Sequence, residues 1–258
     1  MNTLYARSTD GTRIAYDRCG RGPPIVLVHG GGVNRHDWHR VGYVERLQAS
    51  YTAIALDLRG HGDSDKPTDP AAYTTEKMGE DILAVADACE AERFVMWAMS
   101  FGGKISRYLA ARSEKVIKYV LIGTPLGPGV VGERRQMALD FLAHWTPIMQ
   151  AQYEGTLDPK TLSPQDQNLT QRLDVPSMLG WVRAMLDWPS VEPRDFRCPT
   201  LWLIGSEDQH AVDSLRTYEQ SIEGSLVQVR VVKGLDHDTA FDEIDRVYPL
   251  MLSFTQQI

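Results

Sequence analysis

The run Trp97-Ala98-Met99-Ser100-Phe101-Gly102-Gly103 decides how this chain is read. An apolar stretch from Phe94 to Met99 ends on a serine, and from Phe101 to Ala111 apolar residues recur at helical spacing. A strand therefore turns sharply into a helix at Ser100. Such a turn holds a hydroxyl out above the sheet, and the small residues two places before and after it, Ala98 and Gly102, let strand and helix approach each other. The pattern fits a nucleophilic serine. It also fits an ordinary strand-to-helix junction with serine as the helix cap.

Outward from this turn the same alternation recurs. Leu4 to Ala6 and Arg13 to Tyr16, split by Asp10-Gly11, read as a hairpin. Ile25 to Val28 is a continuous apolar run, as a strand buried on both faces requires, and Tyr51 to Leu56, Val116 to Ile122, Thr200 to Ile204 and Val227 to Val232 repeat it. Helical spacing predicts helices over Trp38 to Leu47, Glu76 to Cys89, Val212 to Ile222 and Ile244 to Phe254. The expected fold class is α/β, a mostly parallel central sheet flanked by helices. The rhythm stops between Thr124 and about Phe196, where helical patterns at Glu133 to Gln152 and Ser177 to Asp187 are punctuated by Pro and Gly. Residues 124–195 are thus expected to form an inserted helical subdomain, with the core built from residues 1–123 and 196–258.

Composition excludes several classes of function. Of 258 residues, 43% are apolar and 24% charged, which rules out a disordered or low-complexity chain. The net charge of −7, with no dense Lys/Arg cluster, argues against nucleic acid and anionic membranes as partners. Cys19, Cys89 and Cys198 are too scattered for a disulfide framework or a metal pair and are expected as reduced thiols. The first residues contain no apolar signal-peptide core, and the longest apolar runs are strand-sized, so the cytoplasm is the expected compartment. With no nucleotide or metal motif, no cofactor is expected.

A serine at its ordinary pKa needs a base, and the base needs an orienting group. Among the seven histidines, His29 and His61 lie in glycine-rich loops and read as loop-shaping. His36 and His39 flank Trp38 at a helix start, where a solvated role is expected; His144 falls in a helix before any plausible acid, and His210 follows Asp208 too closely. His237, in a loop after the last strand, is the expected base. Asp208 stands three residues past the strand end Gly205 and is the expected acid, with Glu207 and Asp213 as competitors. The order Ser100, Asp208, His237 suits a parallel sheet that presents its loops at the carboxyl ends of its strands.

Together with His29-Gly30-Gly31, Asp57-Leu58-Arg59-Gly60-His61-Gly62-Asp63-Ser64 and Gly205-x-x-Asp208, these features make the chain resemble the α/β-hydrolase fold family over nearly its whole length. The resemblance implies an oxyanion hole formed by the backbone N–H groups of Phe101 and Gly31, with Gly30 and Gly32 allowing a close approach to substrate. It implies that residues 124–195 form a cap over the site. Trp38 stands where that branch of the family often has an aromatic; with Trp145, Trp181 and Trp188, and with Met137, Met149, Met178 and Met185, it is a candidate substrate wall, although such side chains are more often core.

Relatives that open epoxides or remove halides use Asp at the turn, where this chain has Ser100. Relatives that cleave carbon–carbon bonds usually have Trp after the catalytic His, where this chain has Asp238. The expected activity is therefore hydrolysis of small to medium apolar esters through an acyl-enzyme, with lactone, thioester, amide and perhydrolysis chemistry as alternatives on the same three residues. A ligand receptor of the same fold is the alternative from another class. Asp236 and Asp238 beside His237 predict an alkaline activity optimum.

Overall fold

In the computed structural model, which describes residues 2–256, eight strands form one sheet. They are β1 (Leu4–Arg7), β2 (Arg13–Cys19), β3 (Pro24–Val28), β4 (Thr52–Leu56), β5 (Phe94–Met99), β6 (Val116–Ile122), β7 (Thr200–Gly205) and β8 (Val227–Val232). Their spatial order is β1-β2-β4-β3-β5-β6-β7-β8. The β1–β2 and β2–β4 pairs are antiparallel and every later pair is parallel. Parallel pairing requires a crossover between strands, and helices supply it.

Helices α1 (His36–Arg40) and α2 (Tyr43–Leu47) link β3 to β4, α3 (Thr75–Ala88) links β4 to β5, and α4 (Ser100–Ala110) links β5 to β6. The single helix expected over Trp38 to Leu47 is broken at Gly42, whose φ of +95° is open to glycine and costly elsewhere. Three helices, α5 (Gly132–Tyr153), α6 (Pro164–Arg172) and α7 (Val175–Met185), lie between β6 and β7. Then α8 (Gln209–Ile222) joins β7 to β8, and α9 (Thr239–Asp242) and α10 (Ile244–Gln256) follow. No periodicity announced α6, because it buries none of its residues. Its start was nonetheless encoded, since Ser163 accepts the Asp166 N–H as a cap and Pro164 opens the first turn.

Alternate residues of the central strands feed two cores. Val26, Val28, Met96 and Ala98 pack toward α3 and α4, whereas Ile25, Leu27, Val95 and Trp97 pack with Trp38, Tyr43 and Met251 on the opposite face. That is why these strands read as unbroken apolar runs rather than alternating ones. The segment from Asp57 to Ser64 is held by buried ion pairs. Asp57 accepts from the Arg35 backbone and guanidinium and from the Asp63 N–H, and Arg59 grips Asp81 through two bonds of 2.6 Å. No helix among the described residues is long and apolar enough to cross a membrane.

Candidate active site

Ser100 sits where β5 ends and α4 begins, with a φ of +52°. Only one other non-glycine among the described residues, Glu90, has a positive φ. A serine held in this region costs roughly 1–3 kcal/mol, which the surrounding packing must supply. Gly102 and Gly103 let the turn close: a Cβ at 102 would lie 2.3 Å from the His29 carbonyl oxygen, and one at 103 would lie 2.2 Å from Thr124 Oγ1. Thr124 braces the same turn, its hydroxyl within 3.1 Å of the Ser100 carbonyl oxygen and 2.9 Å of that of Ile122.

His237, from the loop after β8, meets Ser100 and Asp208 at once. Its Nε2 lies 2.9 Å from Ser100 Oγ and its Nδ1 lies 2.8 Å from Asp208 Oδ2. Asp208 caps α8, and its other oxygen accepts the Ala211 N–H at 3.2 Å. With a carboxylate as acceptor, Nδ1 carries the proton and Nε2 faces the serine hydroxyl as the acceptor. The His237 side chain is 29% exposed while Asp208 is 2% exposed, so water can reach the base but not the acid. Neither competitor, Glu207 or Asp213, takes that place. Asp213 is exposed and binds Arg216 and Gln209.

Asp236 accepts the N–H and hydroxyl of Thr239 at 2.8 and 2.5 Å, and these bonds hold its carboxyl below the usual range. It closes a local turn, a role that explains an Asp at this position.

The glycine loop lies directly over the turn. A Cβ at Gly30 would sit 3.5 Å from Ser100 Cβ, and one at Gly31 would sit 3.2 Å from Phe101 Cβ. His29 is fixed beneath it, with Nδ1 donating to the Gly30 carbonyl (2.6 Å) and Nε2 accepting the Leu58 N–H (3.0 Å). Burial pushes the pKa of His29 below its ordinary value and that of His61 down to about 3, so both rings stay neutral. His39, expected at the surface, instead places Nε2 2.9 Å from the buried Asp17.

Ser100 opens onto two cavities. One, of about 390 Å³, is lined by Gly30, Gly31, His237, Asp238 and Asp242 among others. The other, of about 360 Å³, runs under α5 and α7 and is lined by Gly31, Phe101, Lys104, Arg134, Met185 and Trp181 among others. Met137 and Met178 also line the second cavity, and Gly32 lines a third, smaller one that shares Trp181 and Met178 with it.

Three of the expected wall residues need correction. Trp38 is fully buried on the far side of the sheet, edge-on to Tyr43 at 5.1 Å and to Phe241 at 4.9 Å. It supports α9, just past His237, rather than touching a ligand. Trp145 packs within the helical segment against Phe141 and His144. Trp188 stands behind Phe101, and its Nε1 donates to the Tyr73 carbonyl at 2.9 Å. Of the four tryptophans, Trp181 reaches the cavity. Lys104 and Arg134 carried no expectation, because a charged residue in a helical pattern reads as solvated. Among the described residues, no group of three His, Cys, Asp or Glu side chains is placed to hold a metal ion.

Comparison with known proteins places this geometry in context. The family profile of the alpha/beta hydrolase fold matches residues 23–243. Over 121 residues, 46% of this chain, the sequence is 34% identical to the uncharacterized protein Rv2715 of Mycobacterium tuberculosis, and the match spans 34% of that protein. The chain thus spans about a third of the length of the first curated relatives it matches. It is 28% identical over 129 residues to a soluble epoxide hydrolase of Corynebacterium sp., covering 50% of this chain and 43% of that one. An esterase of Exiguobacterium antarcticum superposes with a TM-score of 0.77 at 21% identity, covering 100% of both chains.

Proposed function

The chain belongs to the alpha/beta hydrolase fold family, and from that premise we propose that it is a serine hydrolase of carboxylic esters working through an acyl-enzyme. The observation that carries this reading is His237 bridging Ser100 Oγ and Asp208 at 2.9 and 2.8 Å. Ser100 Oγ attacks the ester carbonyl while His237 Nε2 takes its proton, and Asp208 holds the imidazole tautomer and stabilises the imidazolium. The carbonyl oxygen, now negative, is received by the backbone N–H groups of Phe101 and Gly31. Preformed donors of this kind contribute about 2.7–4 kcal/mol each in comparable sites.

Collapse of the tetrahedral intermediate breaks the bond to the alcohol, which leaves with the proton from His237. Water then attacks the acyl-enzyme, His237 takes its proton, and the acid departs as Ser100 Oγ regains a proton. Residues 124–195 act as a cap whose apolar side chains select the acyl group.

An epoxide hydrolase is among the relatives, but a serine at the turn favours acyl transfer over the alkyl-ester chemistry that an Asp performs there. The test is hydrolysis of p-nitrophenyl esters of increasing acyl length. Wild type should turn over the short and medium esters, and Ser100→Ala should lose on the order of 10⁶-fold in kcat. Turnover that survives Ser100→Ala would exclude this mechanism.

A further inference from the structure

The cavity under α5 carries a charge arrangement that the ester reaction does not use. Lys104 follows Ser100 by one turn of α4, about 6 Å along the helix axis, and lines the same cavity as Ser100 and Arg134. No Asp or Glu lines that cavity; its remaining walls are apolar or glycine, with Met137, Phe141 and Met185 prominent. The charges facing Lys104 are Arg107 on its own helix and Arg134 on α5, both cationic.

The Lys104 ammonium donates to the Gly129 carbonyl, which leaves two of its three N–H donors without a protein acceptor. Arg134 Nε is buried with no hydrogen-bond partner among the described residues. Glu133 and Asp213 line a neighbouring cavity that Lys104 and Arg134 also border, yet neither cation has an acidic partner among the described residues. On the opposite side of Ser100, the cavity wall carries Asp37, Asp238 and Asp242 against a single Arg40.

Buried cationic groups brought together without a counter-charge are unfavourable until an anion joins them. Burial and the two arginines hold the Lys104 pKa down to about 7, which agrees with that geometry. A carboxylate entering there would gain charge-assisted hydrogen bonds from both side chains. On the acidic side of Ser100 it would meet repulsion.

We infer that the preferred substrate is an ester whose acyl chain ends in a carboxylate, held by Lys104 and Arg134 in the cavity that they share with Ser100. The inference rests on the ester-hydrolase reading and names its substrate class. Glutaryl esters, with three methylenes between their two carbonyl carbons, are a probe of that class.

The deciding experiment compares p-nitrophenyl hemiglutarate with its neutral counterpart, methyl p-nitrophenyl glutarate, at pH 6, each corrected for spontaneous hydrolysis. The wild type should favour the anionic ester by at least tenfold in kcat/KM. Lys104→Met and Arg134→Met, each an apolar replacement of similar length, should bring that ratio toward one, and added salt should lower the wild-type ratio. A wild-type ratio near one, or a ratio that neither variant changes, would overturn the inference. Failure of the wild type to hydrolyse either ester would instead remove the ester-hydrolase reading. In that event titration calorimetry with free glutarate decides the anion site. Binding weakened at least tenfold by Lys104→Met supports it, and absent binding or binding indifferent to both variants refutes it.

Discussion

The two cavities that meet at Ser100 are built on opposite principles. On the His237 side the cations are paired within the protein: Arg40 bridges Asp37 at 3.1 Å and Asp242 at 2.9 Å, and Asp208 holds His237. On the α5 side two cations stand among apolar walls with no acidic partner. The first side keeps an excess of negative charge, but its internal ion pairs hold the catalytic geometry fixed. The second is electrostatically incomplete and gains from a ligand. On the proposed reading, catalysis belongs to the strand-end loops and selection to the space between α4 and the helical segment.

The comparison breaks most severely at Asp208. Asp208→Asn would keep the size of the side chain but present a donor to Nδ1, which favours the wrong imidazole tautomer. A loss of about 10⁴-fold in kcat is expected, measured on the best p-nitrophenyl ester. A loss below tenfold would show that the base is oriented by something else.

On the other side, Lys104→Met should stabilise the fold. The folded-state pKa of Lys104, about 7, lies below its ordinary value of 10.5, so between those values the unfolded chain binds more protons and stability rises with pH. The penalty from Lys104 is therefore fully present below pH 7 and gone above about pH 10.5. Lys104→Met should exceed the wild type by on the order of a few kcal/mol in urea unfolding at pH 7, and the gap should close toward pH 10.5. An equal gap at both values would mean that the lysine is not desolvated.

The smallest effect separates two tryptophans. Trp181→Ala removes a cavity wall and should raise KM for medium-chain esters about tenfold, in line with the 1–3 kcal/mol scale of pocket contacts. Trp145→Ala, away from the cavity, should leave KM near wild type while lowering the melting temperature. A reversed pattern would move the substrate to a different face of the helical segment.

Much of the sheet side was legible because its signals are local. Strands buried on both faces show as unbroken apolar runs, and all eight were placed within three residues of their ends. Ser100, Asp208 and His237 stand at or beyond strand ends, where a parallel sheet presents its loops. The helical side was less legible because its roles are set by tertiary packing. An aromatic at a helix start looks the same whether it faces a core, as Trp38 does, or a cavity. A lysine in a helix reads as solvated, and only the placement of α5 over α4 buries Lys104 beside Arg134. Helix α6 is polar all round and leaves no periodic trace. The glycine at 42 was visible in sequence, but its left-handed break of the helix was not.

The central claim is that Ser100 is the nucleophile, and covalent labelling tests it most directly. After treatment with an excess of an alkyl fluorophosphonate, intact-mass spectrometry followed by peptide mapping should show a single adduct on Ser100, formed in parallel with loss of esterase activity and absent from Ser100→Ala. An adduct on another residue with activity lost in step, or full activity retained with Ser100 completely labelled, would contradict the account.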